Sequence, residues 1–151
     1  MRLKTSAYMV LAVFFVAVLL IGSAPAKDAD IIDAAKNGDL LGVQSLLAKG
    51  ANVNAKNKDG ETALMWASFK GHIKIVKELI AKGADVNARR NNGATVLLMA
   101  SKNGHIEVVK ELIAKGADVN AKREDGATAL SMASKNGHKE VVKLLENAGA
   151  K

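Results

Sequence analysis

The sequence predicts an all-α repeat solenoid: four stacked helix–turn–helix units joined by hairpin-like loops, with the first and last units acting as caps. Three observations carry this reading. Glycines recur every 33 residues in three separate series: Gly60, Gly93 and Gly126; Gly38, Gly71, Gly104 and Gly137; Gly50, Gly83, Gly116 and Gly149. Whole phrases recur with them. GADVNA occurs at 83–88 and 116–121, GANVNA at 50–55, and ELIAKGAD starts at Glu78 and again at Glu111. Finally, aromatics make up only 3% of 151 residues, fewer than a conventional core of that size would use. A thin stack closed by Ala, Leu, Ile and Val does not need them.

The first segment, 1–26, reads as an address. Arg2 and Lys4 make a basic start, 7–21 is an unbroken apolar run, and Ala24-Pro25-Ala26 is a small-x-small exit. This is the order of a secretory signal peptide cleaved after Ala26. A spanning helix needs about 20 apolar residues, so the run is short for an anchor. Cleavage removes Arg2 and Lys4 from the 22 basic residues, which takes the formal net charge from +7 to +5 against the 15 acidic ones. It also leaves Trp66 and Phe69 as the only aromatics of the repeat domain, 27–151.

Each unit is justified locally. Asp59-Gly60 is a turn signal and Thr62 a helix N-cap, so a short helix starts at Ala63 and stops at Gly71. A second helix over 73–82 shows an apolar stripe at Ile73, Val76, Leu79 and Ile80, with Lys77 and Lys82 on its polar side and Gly83 as its stop. The units are about 28–56, 57–89, 90–122 and 123–151. Unit one has no Asp-Gly turn, and Asp33 stands where Trp66, Met99 and Met132 stand later. In the last unit Lys139 replaces Ile73 and Ile106. Polar outer faces suit terminal repeats, on which nothing stacks. Ala67, Ala100 and Ala133 let the first helices approach closely.

DGETALMWASFKGHIKIVKELIAKGADVNA from Asp59, NGATVLLMASKNGHIEVVKELIAKGADVNA from Asn92 and DGATALSMASKNGHKEVVKLLENAGAK from Asp125 resemble the ankyrin repeat. That family's pattern is roughly DGxTPLHxAAxxGHxxVVxLLLxxGAxVNA, and the resemblance covers nearly all of 28–151. The TPLH tetrapeptide is TALM, TVLL and TALS here, so Met65, Leu98 and Ser131 replace the His that ties neighbouring loops. The expectation is that those loop hydrogen bonds are missing.

Chemistry is sparse. No Cys means no disulfide, no Cys-ligated zinc and no thiol nucleophile. His72, His105 and His138 occupy one position in successive units, stacked about 10 Å apart. Ligands of one metal ion must lie about 2 Å from it, so these three cannot share one. Ser68, Ser101 and Ser134 sit at a small-residue packing position. Asp85, Asn87, Asp118 and Asn120 lack calcium-loop spacing and read as turn residues. No phosphate-binding glycine loop occurs. No catalytic residue, cofactor or metal site is expected, and the chain reads as a non-enzyme.

The resemblance implies binding of a protein through hairpin tips and the exposed face of the first helices. Those positions hold Lys56, Lys58, Trp66, Phe69, Lys70, Arg89, Arg90, Asn91, Asn92, Lys102, Lys122, Arg123 and Lys135. Together with Lys36 and the acidic Asp59, Glu61, Glu124 and Asp125, the surface carries ten basic and four acidic residues, a net charge of +6. Ala94 also falls on a loop position. Trp66, Phe69, Arg89 and Arg90 form the expected anchor cluster, since aromatics and Arg dominate interface hot spots. The expected partner is a protein with an acidic patch. Nucleic acid does not fit the export signal, and stable membrane insertion is not expected after cleavage. The sequence thus points to a small exported protein, periplasmic or secreted and leaning bacterial. An accessory or chaperone-like factor supporting an exported enzyme is the alternative.

Overall fold

The computed structural model describes the backbone of residues 24–151 and side chains from residue 28 onward. Most of the expected signal segment, 1–23, therefore lies outside the described residues. The helices are α1 (Ala24–Asn37), α2 (Leu40–Ala48), α3 (Ala63–Lys70), α4 (Ile73–Ala81), α5 (Val96–Lys102), α6 (Ile106–Ala114), α7 (Ala129–Lys135) and α8 (Lys139–Asn147). Helix α1 begins before Ala26, so its first turn crosses the bond at which the signal is expected to end. No strand forms among the described residues. The one isolated bridge, Arg89 to Thr95, closes a hairpin base.

The architecture is an all-α solenoid of two layers. The first helices pack in series, α1 on α3, α3 on α5 and α5 on α7. The second helices do the same, α2 on α4, α4 on α6 and α6 on α8, and each also packs on the first helix of its own unit.

Local chemistry sets the helix ends. Thr62, Thr95 and Thr128 cap the first helices by accepting the backbone N–H of Met65, Leu98 and Ser131 at 3.3, 3.2 and 3.1 Å. Gly71 stops α3 in the left-handed region at φ 77°, where a side chain would be strained. Helix α4 ends at Ala81, one residue short of the expected bound. Lys82 is its C-cap, and Gly83 at φ 90° turns the chain so that the Ala84 N–H donates back to the Leu79 carbonyl at 2.9 Å.

The core is a continuous row of small and medium side chains. Leu64, Met65, Val76, Leu79, Leu97, Val109, Leu112 and Leu145 are fully buried, and Ala67, Ala100 and Ala133 lie between stacked first helices with no exposed surface. Burying each Leu or Val of this kind contributes roughly 1.5–3 kcal/mol before entropy is counted. Ile73 and Ile80 are half-buried, while Ile75 joins Val76 and Leu79 inside. Asp33 and Lys139 are exposed, as terminal positions require.

The missing TPLH residues are compensated differently at each site. Met65 and Leu98 turn inward and fill the core. Ser131 stays near the surface, where its hydroxyl accepts the Thr128 N–H at 2.9 Å and completes a reciprocal cap. Neighbouring loops are tied instead by Asn91, whose side-chain amide donates to the Lys58 carbonyl at 2.9 Å while its backbone N–H donates to Asp59 at 3.0 Å.

A further ladder joins the units along the turns after the second helices. Asn54, Asn87 and Asn120 each donate to a glycine carbonyl 29 residues on, Gly83, Gly116 and Gly149, and each accepts a backbone N–H 31 residues on, from Asp85, Asp118 and Lys151. At the amino-terminal end the Asp28 carboxylate accepts the Asn52 N–H at 2.7 Å, a bond that an asparagine of the preceding unit supplies elsewhere.

Candidate partner-binding surface

The first-helix face centres on Trp66. Its ring meets Phe69 edge-on, with centroids 5.7 Å apart and planes 80° apart. Lys36, one unit earlier, places its Nζ 4.6 Å above the indole, a cation–π contact. The indole Nε1–H donates to Glu61 Oε2 at 3.1 Å, and the Asn57 amide donates to the same oxygen at 2.8 Å. Glu61 Oε1 pairs with the Arg90 guanidinium at 3.0 Å.

This network corrects the expected place of two residues. Glu61, read as an exposed loop acid, is only 5% exposed. A carboxylate that deep needs several donors, and Asn57, Trp66 and Arg90 supply them. Arg90, read as a free contact, is half-buried against it and is spent on neutralising that charge. Ala94 is likewise buried, and Met99 is 7% exposed, whereas Met132 remains half-buried at the end of the row.

Of the expected anchor cluster, the stack brings Trp66, Phe69 and Arg90 into one connected group. Arg89 is not part of it. Its side chain is exposed and donates to the Lys122 carbonyl of the next unit at 3.2 Å, just as Lys56 Nζ reaches the Arg89 carbonyl at 3.5 Å. Asn91 and Asn92 shape the hairpins: the Asn92 side chain accepts the Ala94 N–H at 3.1 Å. Arg123 is ion-paired with Asp125 within one loop. Hydrogen bonds from the Arg123 side chain and from the Ala127 N–H hold the Asp125 carboxyl well below the usual carboxylate range, and the same pairing raises Arg123. Sequence reasoning placed Lys36 and Glu61 on this surface without foreseeing that they hold Trp66 from two sides. Residue spacing carries no signal for a contact made across stacked units.

The two pairs, Glu61 with Arg90 and Arg123 with Asp125, are internally neutral. The +6 of the surface therefore resides on Lys36, Lys56, Lys58, Lys70, Arg89, Lys102, Lys122 and Lys135, against Asp59 and Glu124. Among the described residues none of these eight cations forms an ion pair. All eight are exposed. Lys70 lies 5.8 Å from the Phe69 ring centroid.

The other polar sets have structural places. His105 Nε2–H donates to the Phe69 carbonyl at 2.8 Å and His138 Nε2–H to the Lys102 carbonyl at 2.9 Å, so these rings seal one unit against the previous one. Asp85 and Asp118 accept the N–H groups of Asn87 and Asn120 at 2.9 and 3.0 Å, in turns. Ser68 and Ser101 are fully buried where the helices stack, with their hydroxyls unpartnered among the described residues, whereas Ser134, expected at the same packing position, is exposed because no further unit covers the last one. Among the described residues no group of three or more His, Asp or Glu is placed to hold a metal ion, and no helix is long and apolar enough to cross a membrane.

Comparison with known proteins agrees with this repeat geometry. A family model described as ankyrin repeats (3 copies) matches residues 31–123 and, overlapping it, 90–151. A Medicago truncatula protein described as "Protein VAPYRIN-LIKE" is 46% identical over 44 residues, a stretch that covers 29% of this chain and 10% of that relative. The similarity to that protein is thus confined to a small part of its length.

Proposed function

The chain belongs to the ankyrin repeat family, and from that premise we propose that it is a non-catalytic protein-binding module of an exported compartment, periplasmic or secreted, in a bacterium. It binds a protein bearing an acidic patch through Lys56, Lys58, Lys70, Arg89, Lys102, Lys122 and Lys135, with Phe69 and the accessible part of Trp66 as the apolar anchor. The observation that carries this reading is the row of exposed cations that form no ion pair among the described residues. Such a surface accelerates encounter with an acidic partner and loses affinity as salt screens it. The basic, apolar and small-residue order of 1–26 supports export.

The test is capture from the exported fraction with the wild-type protein, Phe69→Ala and Arg89→Glu, each verified as folded. A true partner is retained by the wild type and weakened by both variants, and it elutes as salt rises from about 0.05 to about 0.3 M. A partner whose affinity ignores salt and both substitutions overturns the reading. Amino-terminal sequencing of the exported product tests the boundary, with Lys27 as the expected first residue.

A further inference from the structure

The basic surface is ordered as well as charged. Lys36, Phe69, Lys102 and Lys135 occupy one position at the carboxyl end of successive first helices, and Lys56, Arg89 and Lys122 one position at successive hairpin bases. A first helix of seven or eight residues separates the two rows by about 10 Å, at about 1.5 Å per residue. Along the stack each row steps by one unit, about 8–10 Å. Between the rows lie Trp66 and Met99. We propose that these rows bind an extended acidic peptide segment of the partner, lying along the solenoid with Asp or Glu at every third residue. This rests on the reading of the surface as a protein-binding face and specifies the form of what it binds.

Periodicity decides the conformation. A polyproline II segment has three residues per turn and rises about 3.1 Å per residue, so one side recurs about every 9.3 Å, matching the unit step. A β-strand presents the same side every two residues, about 6.6 Å, and falls out of register after one unit. An α-helix returns after seven residues, about 10.5 Å, but a docked helix needs a continuous apolar stripe beneath it. The floor here is broken: Asp33 begins it, Lys36 covers the Trp66 ring, and Met99 is nearly buried. Phe69 interrupts the first row of lysines, so the segment carries an apolar residue in place of one acid at that step.

The test uses synthetic peptides of about 12 residues. One carries Glu at every third position between Pro and Ala, a second carries the same residues with the Glu in one block, and a third is a helix with Glu every seventh residue. Titration is followed by fluorescence of Trp66, the single tryptophan, and by calorimetry. The expected result is that the every-third peptide binds about tenfold tighter than its block isomer, and that a folded Lys102→Glu/Lys135→Glu variant loses about tenfold for it alone, about one decade in Kd. Equal, salt-sensitive binding of both isomers overturns the register and leaves the acidic-partner reading standing. Tighter binding of the helical peptide overturns the extended form. No binding of any acidic peptide to the folded protein removes both readings.

Discussion

The side-chain amide of Asn87 holds Asp118 of the next unit: its Oδ1 accepts the Asp118 backbone N–H at 2.8 Å, while its Nδ2–H donates to the Gly116 carbonyl at 3.1 Å. One short polar side chain thus bridges two units twice, and Asn54 and Asn120 repeat the arrangement. Each such bond is worth about 0.5–1.5 kcal/mol net, and both are solvent-exposed. Asn87→Ala is therefore expected to cost roughly 1–2 kcal/mol, read as a lower denaturant midpoint. Asn87→Asp keeps the acceptor and loses the donor, so it should fall between. An unchanged midpoint for Asn87→Ala would show the ladder to be incidental.

Glu61 is the most exposed of these interactions to mutation, because three donors depend on one buried carboxylate. Removing one partner of a buried pair costs about 3–5 kcal/mol, and Arg90 retains some solvent access, so Glu61→Ala should cost about 2–3 kcal/mol. Glu61→Gln keeps acceptors for Trp66 and should cost less. Thermal unfolding gives the magnitude and Trp66 emission reports the lost indole bond. If Glu61→Ala unfolds at the wild-type temperature, the network does not stabilise the stack.

Gly104 and Gly137 form a matched pair at φ 72° and 75°. A Cβ on Gly104 would stand within 3 Å of the His138 ring, whereas on Gly137 it would meet nothing within 4 Å. Gly137→Ala should therefore cost only the left-handed backbone strain, about 1–2 kcal/mol. Gly104→Ala should cost more, since it also displaces the ring that donates to Lys102. Comparing the two unfolding free energies isolates the histidine seat, and equal losses would deny it.

Asp125 offers a pH test. Its folded carboxyl lies below the ordinary value of 3.8, first through the Arg123 side chain and then through the Ala127 N–H. A folded-state value below the unfolded one adds stability that is fully present above the unfolded pKa and is lost as pH falls through the folded one. Asp125 is exposed and Arg123 only half-buried, so solvent screens the pair and the effect on stability should be small. The sharper readout is NMR: the Asp125 carboxyl should remain ionised at pH values below the ordinary carboxylate value of 3.8. Arg123→Ala should return it to the ordinary range. A normal titration in the wild type would contradict the loop geometry.

Much of the fold was legible because the signals that make it are local. Thr62 caps the residue three positions on, and Gly71 stops a helix by its own φ, so a single unit of sequence contains both. The surface was legible only in part. Lys36, Trp66, Glu61 and Arg90 each fall on positions the repeat marks as exposed, yet Glu61 is buried and Arg90 half-buried. Glu61 meets Trp66 five residues on, but Arg90 and Lys36 come from 29 and 30 residues away and meet Glu61 and Trp66 only in the folded stack. The TPLH departures taught the same lesson: Met65 and Leu98 fill the core, whereas Ser131, at the end of the stack, makes a cap bond.

Residue type and spacing alone set the period, the helix ends, the family resemblance and the net charge of the face. Tertiary structure decided which of those charges remain available. Stacking removes water from some positions and not from their equivalents one unit away. A charge left without water must find a counter-charge, as Glu61 does in Arg90. A charge left in water, as at Lys102 and Lys135, needs none.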